Sequence, residues 1–147
     1  MDAVTLQSKI FLYSRNFSLA SVHIDAAQRI ARLARENGVS KFIHVSALNA
    51  SVDSPSEYLR TKALGEQAVL SEFPDAVIVR PSRVFGHEDW LFRQMGFFTK
   101  FIPGSFIPLI NGGLSKMRPV YVGDVAAALG MLAKNTPTNG NLIELYG

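Results

Sequence analysis

Tyr58 and Lys62, in the run Tyr58-Leu59-Arg60-Thr61-Lys62, stand four residues apart, so that on a helix the phenol and the ammonium share one face. A cation beside a phenol favours the phenolate and draws its pKa of about 10 toward the working range. That suits a tyrosine which gives or takes a proton at a carbonyl or alcohol. The same spacing arises by chance in roughly one chain of six, and a solvated helix face is the ordinary explanation of it. A second segment, Arg80-Pro81-Ser82-Arg83-Val84-Phe85-Gly86, follows a short β-branched run at its carboxyl end, which is where ligands sit in open parallel sheets. A third, Pro119-Val120-Tyr121-Val122-Gly123-Asp124-Val125-Ala126, reads as a strand turning at once into a helix, with Asp124 as its N-cap. Metal chemistry is not expected: His23, His44 and His87 lack ligand spacing, and the chain has no cysteine.

These residues need a scaffold, and the apolar pattern supplies one. Ala26, Ala27, Ile30 and Ala34 recur at helical spacing, predicting a helix over 18–37 that carries His23 on its apolar stripe and stops at Gly38. Lys41 to Ser46 and Ala76 to Arg80 are short β-branched runs too brief for helices, hence buried strands. Between them a polar loop over 49–56 leads into a helix that carries Tyr58 and Lys62 and ends near Ser71, before Pro74. Further on, 88–100 reads as helical and 101–119 as a Gly/Pro-rich excursion. A strand over 120–122, a helix over 125–134 and a strand over 142–146 complete the series. Near the start, 2–6 and 9–13 are alternative strand candidates, of which one is expected. Such alternation predicts one α/β domain over 1–147 on a mostly parallel sheet. Arg29, Arg32 and Arg35 read as a solvated helix face, and Phe92, Phe97, Phe98, Phe101 and Phe106 as packing.

Composition narrows the function classes. The 147 residues are 48% apolar and 18% charged, the balance of a globular domain rather than a disordered or fibrous one. A net charge of +3 spread along the chain does not mark a nucleic-acid binder. No run approaches the roughly 20 apolar residues of a membrane span. The first seventeen residues show neither a secretory nor an Arg-rich transit pattern.

The segments GVSKFIHVSALNA, YLRTKALGE, RPSRVFGHED and PVYVGDVAAAL, in this order and spacing, resemble the extended and atypical short-chain dehydrogenase/reductases over about residues 16–147. Within that family the resemblance runs to the nucleotide-binding accessory subunits of mitochondrial respiratory complex I and their bacterial relatives. It implies a Rossmann-like sheet with Tyr58 as catalytic acid/base and Lys62 as its partner on the cofactor ribose. Ser46, Ala47, Pro81, Ser82 and Val84 would lie beside them at the cofactor, and 101–119 would belong to a small substrate-side lobe. Three departures bear on activity. The family's glycine-rich pyrophosphate loop has no counterpart, since no glycine precedes Gly38, so the first strands of the domain are expected to be missing. The catalytic Ser/Thr position carries Ala47, and a helix position that often holds a proton-relaying Asn carries His23.

The resemblance therefore implies an accessory complex I subunit that holds NADP(H) or NAD(H) in the complete protein and assists assembly or stability rather than catalysis. Its partners would be other complex I subunits, on the matrix side and peripheral to the inner membrane. A soluble NAD(P)-dependent reductase or epimerase, in the bacterial cytoplasm for the bacterial relatives, is the rival expectation. A truncated product without autonomous function is another. For this chain alone, weak or absent dinucleotide binding is expected.

Overall fold

The computed structural model describes residues 17–87, 89, 114, 117–134 and 140–147. The expected strands at 2–6 and 9–13, the aromatic run from Phe92 to Phe106 and the helix over 88–100, apart from Asp89, lie outside the described residues. So does the 101–119 excursion, apart from Leu114 and residues 117–119.

The first helix is already α-helical at Leu19 and Ala20, passes through a π-helical segment, Ser21–Ala26, and continues as α1, Ala27–Glu36. Gly38 ends it at φ 68°, a left-handed conformation open to glycine without a Cβ penalty, while Val39 N–H donates back to the Ala34 carbonyl at 3.0 Å. After β1 (Ile43–Val45), Asn49 takes φ 64° in the connecting loop, which leads into α2 (Glu57–Glu72). Arg60 donates to the Ser54 carbonyl at 2.7 Å and braces the entry to α2. The helix stops at Phe73, ahead of Pro74. β2 (Val77–Pro81) follows, then the two-residue β3 (Val84–Phe85). β4 (Val120–Tyr121), α3 (Val122–Lys134) and β5 (Leu142–Leu145) complete the described order.

The strands form two parallel sheets. One has the order β1-β2-β5, with Val45 opposite Val79 and Pro81 opposite Leu145; the other pairs Val84 with Val120. Parallel strands place all their carboxyl ends together, so Val45, Pro81 and Leu145 rim one side of the first sheet. Among the described residues β1 has a strand on one side only. On the helix-covered face, Ile78 packs with Ala31 of α1, Val69 of α2, Phe73 and Ala76, while Phe42 stacks on Phe73 at 5.6 Å between centroids. Val77 and Val79 alternate to the opposite face and are fully buried.

One expectation is corrected. The last helix begins at Val122 rather than Val125, so Asp124 lies inside its first turn instead of capping it. Gly123 permits the immediate turn from strand to helix, because a Cβ there would collide with the Tyr121 ring. Asp124 still favours the helix through the positive end of its dipole. At the other end, Lys41 donates to the Leu132 carbonyl at 2.6 Å and ties α3 to the amino end of β1.

Candidate functional site

The carboxyl ends of β1 and β2 are joined across the crevice by backbone bonds. Ser46 N–H donates to Val79 at 2.7 Å, Leu48 N–H to Pro81 at 2.8 Å, and Ser82 N–H to Leu145 at 2.8 Å. This stitching places Ser46 and Ala47 just beyond β1, and Ser82 just beyond β2, at the rim of one sheet. Ser46 is 4% exposed, and its buried hydroxyl has no hydrogen-bond partner. Ser82 Oγ donates to the Arg118 carbonyl at 2.5 Å, joining this rim to the strand leading into α3. Pro81 is buried in the sheet itself, and Val84 belongs to the second sheet opposite Val120.

Tyr58 and Lys62 reach the same rim from α2. Lys62 Nζ donates to the Val45 carbonyl, the last residue of β1, at 3.2 Å, and lies 5.9 Å from the centre of the Tyr58 ring. In the β1–β2 ladder Phe42 O and Ser46 N face β2, so the Val45 carbonyl that Lys62 holds faces the opposite edge. Burial pushes the Tyr58 phenol above its ordinary pKa, the direction opposite to that expected from a cation beside it. Burial also lowers the Lys62 ammonium, with the Glu66 carboxylate acting against that shift.

Four side chains surround the pair: His23, Thr61, Glu66 and His44. His23 Nδ1 and Thr61 Oγ1 are 2.9 Å apart, and the His23 ring meets Tyr58 edge to face at 5.3 Å. Thr61 Oγ1 also lies 2.9 Å from the Glu57 carbonyl and 3.1 Å from that of Tyr58. The π-helical segment around His23 sits close above Gly65 of α2, where a Cβ would collide with the His23 carbonyl oxygen. Beneath Lys62, Glu66 is 6% exposed and is gripped by Arg80 of β2 through two bonds: Nε to Oε1 at 2.9 Å and Nη2 to Oε2 at 2.7 Å. His44 of β1 completes the cluster. Its Nε2 is buried without a partner, and burial first, then the Lys62 charge, lower its pKa against the opposing pull of Glu66.

The spacing Tyr58-x3-Lys62 and the turn after β2 were visible in the sequence. The Glu66–Arg80 pair was not, because its partners lie 14 residues apart on different elements; a glutamate one turn after Lys62 was the only local signal. Arg29 and Arg32 are exposed, as a solvated face requires.

No family model matches the chain. It is 43% identical over 136 residues to the NADH dehydrogenase [ubiquinone] 1 alpha subcomplex subunit 9, mitochondrial, of Arabidopsis thaliana, a match covering 91% of this chain and 33% of that protein. The Rattus norvegicus protein of the same name is 38% identical over 135 residues, with 91% and 35% covered. The chain is a homologue of part of these subunits. It spans about a third of their length. Among solved structures, dTDP-glucose 4,6-dehydratase of Bacillus anthracis in complex with NAD superposes with a TM-score of 0.72 at 14% identity, over 99% of this chain and 56% of that one. UDP-glucuronic acid 4-epimerase of Bacillus cereus in complex with NAD gives 0.68 at 19% identity, over 85% and 46%. The fold is therefore that of the NAD-dependent epimerase and dehydratase Rossmann domains.

Proposed function

We propose that this chain forms the sugar-side wall of a nicotinamide nucleotide site in an accessory subunit of respiratory complex I, holding NADP(H) or NAD(H) when the rest of the fold is present. The 43% identity to a complex I subunit across 91% of the chain carries the reading. The site agrees with it in chemistry. The buried, unpartnered Ser46 hydroxyl and the Lys62 ammonium at the end of β1 suit sugar hydroxyls, and Tyr58 stands beside them. No glycine before Gly38 offers a phosphate cradle, so the diphosphate needs residues from elsewhere. Bound nicotinamide nucleotide can exchange hydride. At the position where a hydroxyl would orient a carbonyl, Ala47 has none, and the loss of one such donor costs about 3 kcal/mol of barrier. The role is thus holding and support of assembly, with other complex I subunits as partners, peripheral to the inner membrane on its matrix side. Tagged chain expressed in mitochondria is expected to co-migrate with complex I on native gels, and Tyr58→Phe to leave that co-migration intact. Migration apart from the complex overturns the reading.

A second reading has its own support. The chain is 36% identical over 124 residues to the ceramide reductase of Caulobacter vibrioides, covering 84% of this chain and 37% of that protein, and both Tyr58 and Lys62 are present. In a reductase Tyr58 would pass the proton, and nucleotide-dependent turnover abolished by Tyr58→Phe would favour it.

A further inference from the structure

Lys62 and Glu66 stand one turn apart on α2, a spacing at which an ammonium and a carboxylate can close a salt bridge. Here they do not. The described ion pairs of Glu66 are with Arg80 alone, and the guanidinium fork takes both carboxylate oxygens, at 2.9 and 2.7 Å. Lys62 Nζ turns instead to the Val45 carbonyl at the end of β1. Glu66 is almost fully buried, so its charge has little water to fall back on and must be met by a cation. Two cations stand within reach, one on its own helix and one on β2, and only the arginine can satisfy both oxygens in one plane.

We propose that Arg80 is a positioning residue: by occupying both oxygens of Glu66 it keeps Lys62 from folding back along α2 and leaves the ammonium at the carboxyl end of β1. The functional value of that placement rests on the reading of Lys62 as the sugar-holding residue; the placement itself does not. The groups facing Lys62 are the Tyr58 ring, the Val45 carbonyl, Glu66 and His44. Arg80→Lys keeps the charge and gives up the fork, so one Glu66 oxygen becomes available to Lys62.

The test uses the full chain with lysines carrying 13C-methyl groups, Lys62 being assigned by its loss in Lys62→Arg, and follows each lysine by NMR against pH. In the unaltered chain Lys62 is expected to titrate below the exposed lysines. In Arg80→Lys it is expected to move up by about one pH unit as the Glu66 pair forms. Adding Glu66→Gln to that variant removes the carboxylate that raises Lys62 in both proteins and is expected to take it below its starting value. Titration of Lys62 at or above the exposed lysines in the unaltered chain overturns the proposal, and that result needs no variant at Arg80 or Glu66 to fold. An unshifted Lys62 in a folded Arg80→Lys protein overturns it too. Because no nucleotide enters the measurement, failure of the proposed nucleotide site would leave these outcomes untouched.

Discussion

The two helices that cover the sheet bury different things. α1 presents Ala27, Ala31 and Ala34 to the core and leaves Ile30 and Leu33 on its outer side, 57% and 48% exposed. α2 buries Val69 with Thr61 and Glu66, and each of those polar groups has a partner: Thr61 bonds His23 and its own helix, Glu66 bonds Arg80. An alanine face lets a helix approach closely at little cost in side-chain entropy, but it specifies little. A buried carboxylate specifies a great deal, since it is tolerated only where a matching cation arrives from another element. The helix that carries Tyr58 and Lys62 is therefore the one whose interior is polar and paired.

Substitutions can break this contrast. Arg80→Leu strips the guanidinium fork from Glu66 and leaves it at most a single-point contact from Lys62, a loss expected to cost about 3 kcal/mol, the low end for a broken buried pair, seen as a drop in the urea midpoint. Gly65→Ala forces a methyl group against the His23 carbonyl oxygen where the two helices meet closest, and is expected to cost about 1–3 kcal/mol by the same measurement.

His44 sharpens the contrast through pH. Its folded-state pKa lies below the unfolded value of about 6.5, so the unfolded chain binds more protons as pH falls. Stability from this group is complete above about pH 6.5 and is lost as pH drops toward the folded pKa. His44→Leu is expected to flatten that part of the profile, a comparison of urea midpoints at neutral and mildly acidic pH. On α1, by contrast, Ile30→Ser and Leu33→Ser are each expected to stay within about 0.5 kcal/mol of the parent, because neither side chain is buried in the described structure.

Much of the scaffold was legible because its signals are local. Short β-branched runs between Gly38, Pro74 and Pro81 could only be strands, and both appear, at Ile43–Val45 and Val77–Pro81. The Tyr58 helix was readable from its turn residues and from the stop before Pro74. What escaped was relational. The π-helical turn at His23 coincides with the close approach to Gly65, and the start of α3 needs a glycine fitting against Tyr121. Neither leaves a mark in hydrophobic period. The capture of Glu66 by Arg80 is likewise a fact about two elements. The pattern Tyr58-x3-Lys62 showed which side chains share a face, and burial then set the direction of both their pKa values.

The direct test of the proposed sugar-side wall is an amide-resolved NMR titration of this chain with nicotinamide mononucleotide, which carries ring, ribose and one phosphate without the adenylate half. The account predicts shifts at millimolar ligand confined to residues 45–48, 58–62 and 82, with Ile30 and Leu33 unmoved. A spectrum that stays unchanged at the ends of β1 and β2, or that moves along the outer side of α1 instead, would contradict it.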